Sequence, residues 1–257
     1  MQQTTFHHDS TFELPTIRRV SAGSPFQWLA AGWRDFLHMP ISSGFYGLVF
    51  ALLGYAVTAA TWQSPILVLT FVTGFFLIAP FLALGLYELS RQRETGEGKR
   101  FVGSLLAFRR NKFDMGLLVV FHAVVMIAWI RLATLIGALY FSHSGSSVTM
   151  LFQQVWSSPE GIGLLALFLL IGGALAALVF VTGAVSWPMV LHRSSGVINA
   201  MATSIQVVRR NKAAMAVWAA LIVALFALGV ATLYLGLIII IPVLGHATWH
   251  AYRALVE

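Results

Sequence analysis

The sequence predicts an all-α membrane protein with six transmembrane helices, arranged as three hairpins that are each preceded by an amphipathic interfacial helix. Three observations carry this expectation. Of 257 residues 58% are hydrophobic and 10% charged, where ordinary globular domains carry about 25% charged residues. The few charges are clustered, so that long apolar runs are nearly free of them. Fifteen of the sixteen Lys and Arg residues fall in segments that alternate regularly with turns free of Lys and Arg.

The elements follow in order. Residues 1–25 are polar, include Pro15 and Pro25, and read as a mobile cytoplasmic tail in front of a single membrane domain at 26–257. A bilayer core of about 30 Å needs roughly 20 helical residues. Gly44–Trp62 and Pro65–Tyr87 meet that length, separated by the turn-like Gln63-Ser64-Pro65. Met115–Tyr140 and Ile162–Val185 are the third and fourth runs. Between them, the outer loop Ser142–Glu160 holds a stretch at 148–156 that suits a short interfacial helix anchored by Trp156. The last run, Ala213–Tyr252, has 40 residues and as one helix would be about 60 Å long, twice the membrane. It is expected to fold back between Gly229 and Gly236.

The basic residues test this count. Arg18, Arg19, Arg34, Arg91, Arg93, Lys99, Arg100, Arg109, Arg110, Lys112, Arg193, Arg209, Arg210, Lys212 and Arg253 all fall on one side, and the opposite loops contain none. The positive-inside rule makes that side cytoplasmic, with both termini there. Five or seven spans would destroy the partition.

Arg109-Arg110-Asn111-Lys112 recurs 100 residues later as Arg209-Arg210-Asn211-Lys212. Each copy closes an amphipathic segment and opens a span. Ile198, Met201, Ile205 and Val208 form an apolar stripe before the later copy, and Phe101, Leu105 and Phe108 one before the earlier. Phe26, Leu29, Trp33 and Phe36 repeat the pattern before the first span. Pro80 to Arg91 and Pro242 to Arg253 are both eleven residues apart. The layout is a unit of surface helix, span and span, repeated over roughly 26–91, 98–193 and 196–253. These repeats are parallel, unlike the inverted repeats of many transporters.

Few residues carry chemistry. His246 and His250 share a helix face, a spacing that suits a metal or haem, although interfacial His near a cytoplasmic helix end is also common. No acidic third ligand is evident beside them. Arg131 lies about 24 Å along the third span, where it snorkels, pairs with Glu160 or meets an anion. His122 sits on the opposite face of that helix and hydrogen-bonds a neighbour or relays protons. Glu88 is expected to pair with Arg91 or Gln92. Gly172, Gly173, Ala176 and Ala177 on the fourth span, with Gly47 and Gly54 on the first, present small residues for close helix packing. The chain has no cysteine, no His-Glu-x-x-His, no phosphate-cradling glycine loop and no serine nucleophile elbow, so the case for an enzyme is weak and no catalytic residue or cofactor is assigned.

Three segments resemble a known family: Trp28-Leu29-Ala30-Ala31-Gly32-Trp33-Arg34-Asp35, Gly85-Leu86-Tyr87-Glu88-Leu89-Ser90-Arg91, and Pro242-Val243-Leu244-Gly245-His246-Ala247-Thr248-Trp249-His250-Ala251-Tyr252-Arg253. They are similar to the prokaryotic integral membrane proteins grouped as the domain-of-unknown-function-2189 family. The resemblance implies a multi-span helical protein of the bacterial inner membrane and supplies no activity. Some relatives carry the label of putative cytochrome c oxidase subunit, but the sequence offers only His122 at depth, too few ligands for that chemistry.

The function expected is non-enzymatic. A basic face formed by Arg34, Arg109, Arg110, Lys112, Arg209, Arg210 and Lys212 engages anionic lipid or a membrane-protein partner, and no nucleic acid. The alternatives are a small-solute or ion transporter with a path between the hairpins, and a metal- or haem-binding accessory of respiration at His246 and His250.

Overall fold

The computed structural model describes residues 14–98, 100–141 and 158–257. The expected interfacial helix at 148–156 lies outside them. The described chain is helical, with one isolated antiparallel bridge, Ile17 to Val256. Its helices are α1 (Ser24–His38), α2 (Pro40–Thr61), α3 (Pro65–Leu82), α4 (Leu84–Thr95), α5 (Phe101–Leu105), α6 (Lys112–Phe141), α7 (Pro159–Gly183), α8 (Ser186–His192), α9 (Val197–Arg210), α10 (Lys212–Ala231) and α11 (Leu237–Leu255), with a 3₁₀ turn at Ala107–Asn111.

Local chemistry sets the boundaries. Proline stands in the first turn of α1, α2, α3 and α7, where its missing N–H costs nothing. Ser158 caps α7, its Oγ accepting from the Gly161 N–H at 3.0 Å. The second and fourth runs are each broken near their C-terminal ends. Pro80 sits inside α3, which stops at Leu82 before α4 resumes at Leu84, and the α7–α8 break falls just before Pro188. The last apolar run folds back within the expected segment. Thr232 Oγ1 donates to the Gly229 carbonyl and accepts from the Gly236 N–H, both at 2.8 Å. Leu233 and Tyr234 take left-handed backbone there, and Tyr234 is pinned by a hydrogen bond to Thr58 of α2.

Among the described residues five stretches are long and apolar enough to cross a membrane: Pro40–Thr61, Ile66–Thr95, Ala107–Leu139, Pro159–His192 and Lys212–Ala231. The sixth expected span, α11, is not among them. Its first half is apolar from Leu237 to Leu244, but its second half carries His246, His250 and Arg253. Helices α2, α6, α7 and α10 leave large apolar side chains exposed, among them Leu52 at 58%, Val120 at 60%, Leu170 at 70% and Leu228 at 57%. An outer surface of this kind matches lipid rather than water.

Helix α11 is the hub: it packs against α1, α2, α4 and α10, while α3 packs on α6 and α6 on α7. Aromatic contacts tie these groups together. Trp28 meets Trp218 edge-on at 5.7 Å, Phe76 lies 4.4 Å from Phe226, and the Trp129 indole donates to the Thr70 carbonyl at 2.8 Å.

Two expectations need correction. The segment before the second repeat unit is not one amphipathic helix but α5 followed by the 3₁₀ turn, because Gly103 and Ser104 are poor helix formers and Ser104 Oγ bonds the Phe101 carbonyl at 2.7 Å. Residues grouped with the N-terminal tail are docked from Thr16 onward. The Arg18 N–H donates to the Leu255 carbonyl and the Glu257 N–H to the Thr16 carbonyl, both at 3.0 Å. Asn211 then holds the Arg18 carbonyl and the Val20 N–H.

Candidate functional site

Two of the resemblance segments bring the Ser90 hydroxyl and the Asp35 carboxylate against the histidines of the third. Asp35 of α1, Ser43 of α2, Ser90 and Arg93 of α4, and His246 and His250 of α11 form one cluster, buried at Asp35, Ser43, Ser90 and His246. Ser90 Oγ donates to Asp35 Oδ2 at 2.6 Å and lies 2.7 Å from His246 Nδ1. The other ring nitrogen, His246 Nε2, lies 2.9 Å from Ser43 Oγ. His250 Nε2 is 2.9 Å from Asp35 Oδ2, and the Arg93 guanidinium pairs with Asp35 Oδ1. Asp35 is 2% exposed and His246 0%, so these contacts are shielded from water. Burial pushes the Asp35 carboxyl up, but hydrogen bonds from His250 and Ser90 and the charge of the two imidazoles outweigh it and hold the group below its ordinary value of 3.8.

A second cluster lies beside it on α4. Arg91 donates to both oxygens of buried Glu88 at 2.8 Å and to both oxygens of Glu97 at 2.8 and 2.6 Å. Gln92 Nε2 also donates to Glu88 at 3.1 Å, and Arg110 of the 3₁₀ turn stands 3.5 Å away. The Arg91 guanidinium holds the Glu97 carboxyl down at about 2. Both expected partners of Glu88 are therefore present, and Arg110 is a third.

This changes the setting of the paired histidines. An acidic neighbour, Asp35, does stand beside His250, which the sequence did not reveal because 215 residues separate them. His246 has both ring nitrogens hydrogen-bonded to hydroxyls. Among the described residues no group of three His, Cys, Asp or Glu side chains is placed to hold a metal ion. The geometry is that of a clasp joining α1, α2, α4 and α11.

His122 is satisfied in a similar way. Its Nδ1 lies 2.8 Å from the Leu118 carbonyl, and Nε2 accepts from the Trp187 indole at 3.3 Å. Arg131 is exposed on α6, far along that helix from Lys112, and belongs to neither cluster.

The basic candidates form an exposed layer instead. Arg34, Arg109, Arg110, Lys112, Arg209, Arg210 and Lys212 are all exposed. Exposed apolar residues lie among them. On α9 the small or polar-neighbour positions Ala200, Thr203, Ser204 and Val207 are buried, while Ile198 is 70% exposed and Met201, Ile205 and Val208 are half-buried. On α1 Trp28, Gly32 and Asp35 face inward, and Phe26, Trp33 and Leu37 are exposed at 58%, 43% and 57%. Phe108 and Val102 do the same beside the 3₁₀ turn, at 44% and 66%. The asparagines of the repeated motif organise this layer. Asn211 clamps the N-terminal segment, and Asn111 donates to Asp114 Oδ2 at 2.8 Å, whose Oδ1 accepts the Val197 N–H opening α9.

Residues 67–192, from α3 to the end of α8, match the model of the DUF2189 family, described as predicted integral membrane protein. Over this segment, just under half of its length, the chain is similar to that family, and it is a multi-pass integral membrane protein. No curated protein and no solved structure shows significant similarity to the chain.

Proposed function

With that similarity as the premise, we propose that the protein crosses the bacterial inner membrane six times, as three hairpins over 26–91, 98–193 and 196–253, with both termini cytoplasmic. Its function in this reading is to bind anionic lipid headgroups at the basic cytoplasmic face. The observation that carries the reading is the shared layer of exposed Arg and Lys with outward apolar side chains on α1, the 3₁₀ turn and α9. Apolar side chains there sit among acyl chains while the cations reach phosphates, each worth ~1 kcal/mol near an anionic surface.

Helix α11 supports the sixth crossing. Its turn is tied to Thr58 near the far end of α2, and His246 meets Ser43 near the start of α2. The interval from Ser43 to Thr58 corresponds to a depth of about 22 Å by helical rise. His246 in the polar half of α11 is buried against protein and faces no lipid, and His250 is paired with Asp35.

The test is thermal stability of the purified chain in detergent with added dioleoylphosphatidylglycerol or dioleoylphosphatidylcholine. The anionic lipid is expected to raise Tm more, and the variant carrying Arg109→Gln, Arg110→Gln, Arg209→Gln and Arg210→Gln to lose most of that difference. Equal stabilisation by both lipids would overturn the reading.

A further inference from the structure

A cavity of about 580 Å³ lies among α3, α7, α10 and α11, with Trp129 of α6 contributing to its wall. That volume falls in the roughly 300–1,000 Å³ range of small-molecule pockets. No charged side chain lines it. Three of its polar lining groups make no demand on a ligand, and the Tyr87 hydroxyl and the Trp218 indole are the other two. Thr73 and Thr248 turn their hydroxyls back to the carbonyls of Leu69 and Leu244, at 2.7 and 2.8 Å, and the Trp129 indole N–H is held by Thr70. An ion passing here would lose its water and meet no charged partner.

We infer that this cavity seats an acyl chain of a membrane phospholipid. Its lining on α7 runs from Phe168 to Ala184, about 24 Å by helical rise, along a segment whose outer face is apolar. The small residues Gly173 and Ala177 are exposed, and a Cβ added at Gly173 would meet nothing within 4 Å, so the wall is open there to the outer surface of the helices. Charge sets the orientation. Trp218 on the α10 wall lies six residues, about 9 Å, from exposed Lys212, with Arg209 and Arg210 just before it. An amphipath with a long apolar chain and an anionic head complements both ends. The choice of an anionic head rests on the proposed function above; the seating of the chain does not.

The experiment compares purified full-length protein and three variants by native mass spectrometry after incubation with dioleoylphosphatidylglycerol or dioleoylphosphatidylcholine. Gly173→Phe and Ala177→Phe fill the cavity and are expected to lower retained lipid about tenfold. Ala174→Phe, exposed on the neighbouring face of α7 and outside the lining, is expected to retain as much as the parent. A phospholipid carrying a photoactivatable diazirine in its chain, used on the unmodified protein, is expected to label peptides covering 168–184 and 218–226. Unchanged retention in Gly173→Phe and Ala177→Phe, or labelling confined to other peptides, would overturn the proposal. A change of oligomeric mass in Gly173→Phe with retention unaltered would also overturn it, and would make a second copy of the chain the occupant. If both lipids are retained equally yet displaced by Gly173→Phe, the headgroup reading fails and the chain site stands. If the anionic preference persists and ignores Gly173→Phe, the reverse holds.

Discussion

Glycines on the two sides of the molecule face opposite surroundings. On α2, a Cβ at Gly47 would come within 2.2 Å of the Ile238 carbonyl oxygen, and on α1 one at Gly32 within 2.5 Å of the Val243 oxygen. Both obstacles are backbone of α11, which cannot swing aside. On α7, Gly173 would meet nothing. The first pair lets helices touch backbone to backbone, which is how membrane helices gain packing energy without a hydrophobic drive from water. The last leaves an opening. The α1–α2–α11 side, with its buried Asp35 cluster, is a tightly joined unit, whereas α7 borders a space.

Gly47→Ala should break the first region most severely. Forcing α2 away from α11 strains a backbone contact and separates Ser43 from His246, at a cost of about 3 kcal/mol. Thermal unfolding in detergent measures it, and a Tm equal to the parent's would mean that the two helices do not meet there.

Asp35→Ala follows, at about 2–3 kcal/mol, because it leaves Ser90, His250 and Arg93 without their shared acceptor. Arg93 is 36% exposed at its side chain and recovers some hydration, which keeps the cost below that of a fully buried pair. The same carboxylate gives a pH signature. Its folded value lies below the ordinary 3.8, so its stabilising contribution is complete above that value and disappears as pH falls through the lowered one. The parent's Tm should therefore fall on acidification below about pH 4, and Asp35→Asn should flatten that part of the curve. A parallel acid limb in both proteins would remove Asp35 from the clasp.

Much of the layout was legible beforehand because it depends on local properties. Apolar run length marks the five clear spans, and the fold-back near Thr232 follows from a run too long for one crossing. Although only Ile198 of it is exposed while Met201, Ile205 and Val208 are half-buried, the apolar stripe on α9 was readable from its spacing. The clasp was not, since it depends on the relative register of four helices distant in sequence. Periodicity sees one helix at a time, so it placed His246 and His250 together but could not bring Asp35 to them. The repeated Asn111 and Asn211 were visible as a motif, yet their work, fixing Asp114 and the N-terminal segment, depends on neighbours that spacing does not name. The small residues of α7 show the limit most clearly. Gly172 and Gly173 looked equivalent, but a Cβ at Gly172 would strike the Trp129 ring at 2.8 Å while its neighbour faces the cavity.

That neighbour yields the smallest effect and the sharpest contrast in sign. Gly173→Ala adds a methyl where space is open, in a helix whose backbone freedom glycine increases in the unfolded chain. It should stabilise the protein by roughly 0.5–1 kcal/mol, the ordinary helical preference for Ala over Gly. Gly47→Ala makes the same chemical change and should do the opposite. Measured side by side in one detergent, the two alanines differ only in what stands against the new methyl. If both destabilise, α7 is packed at Gly173 and no opening exists there. If only Gly47→Ala does, the contrast between a closed α2–α11 contact and an open α7 wall holds at the scale of a single carbon atom.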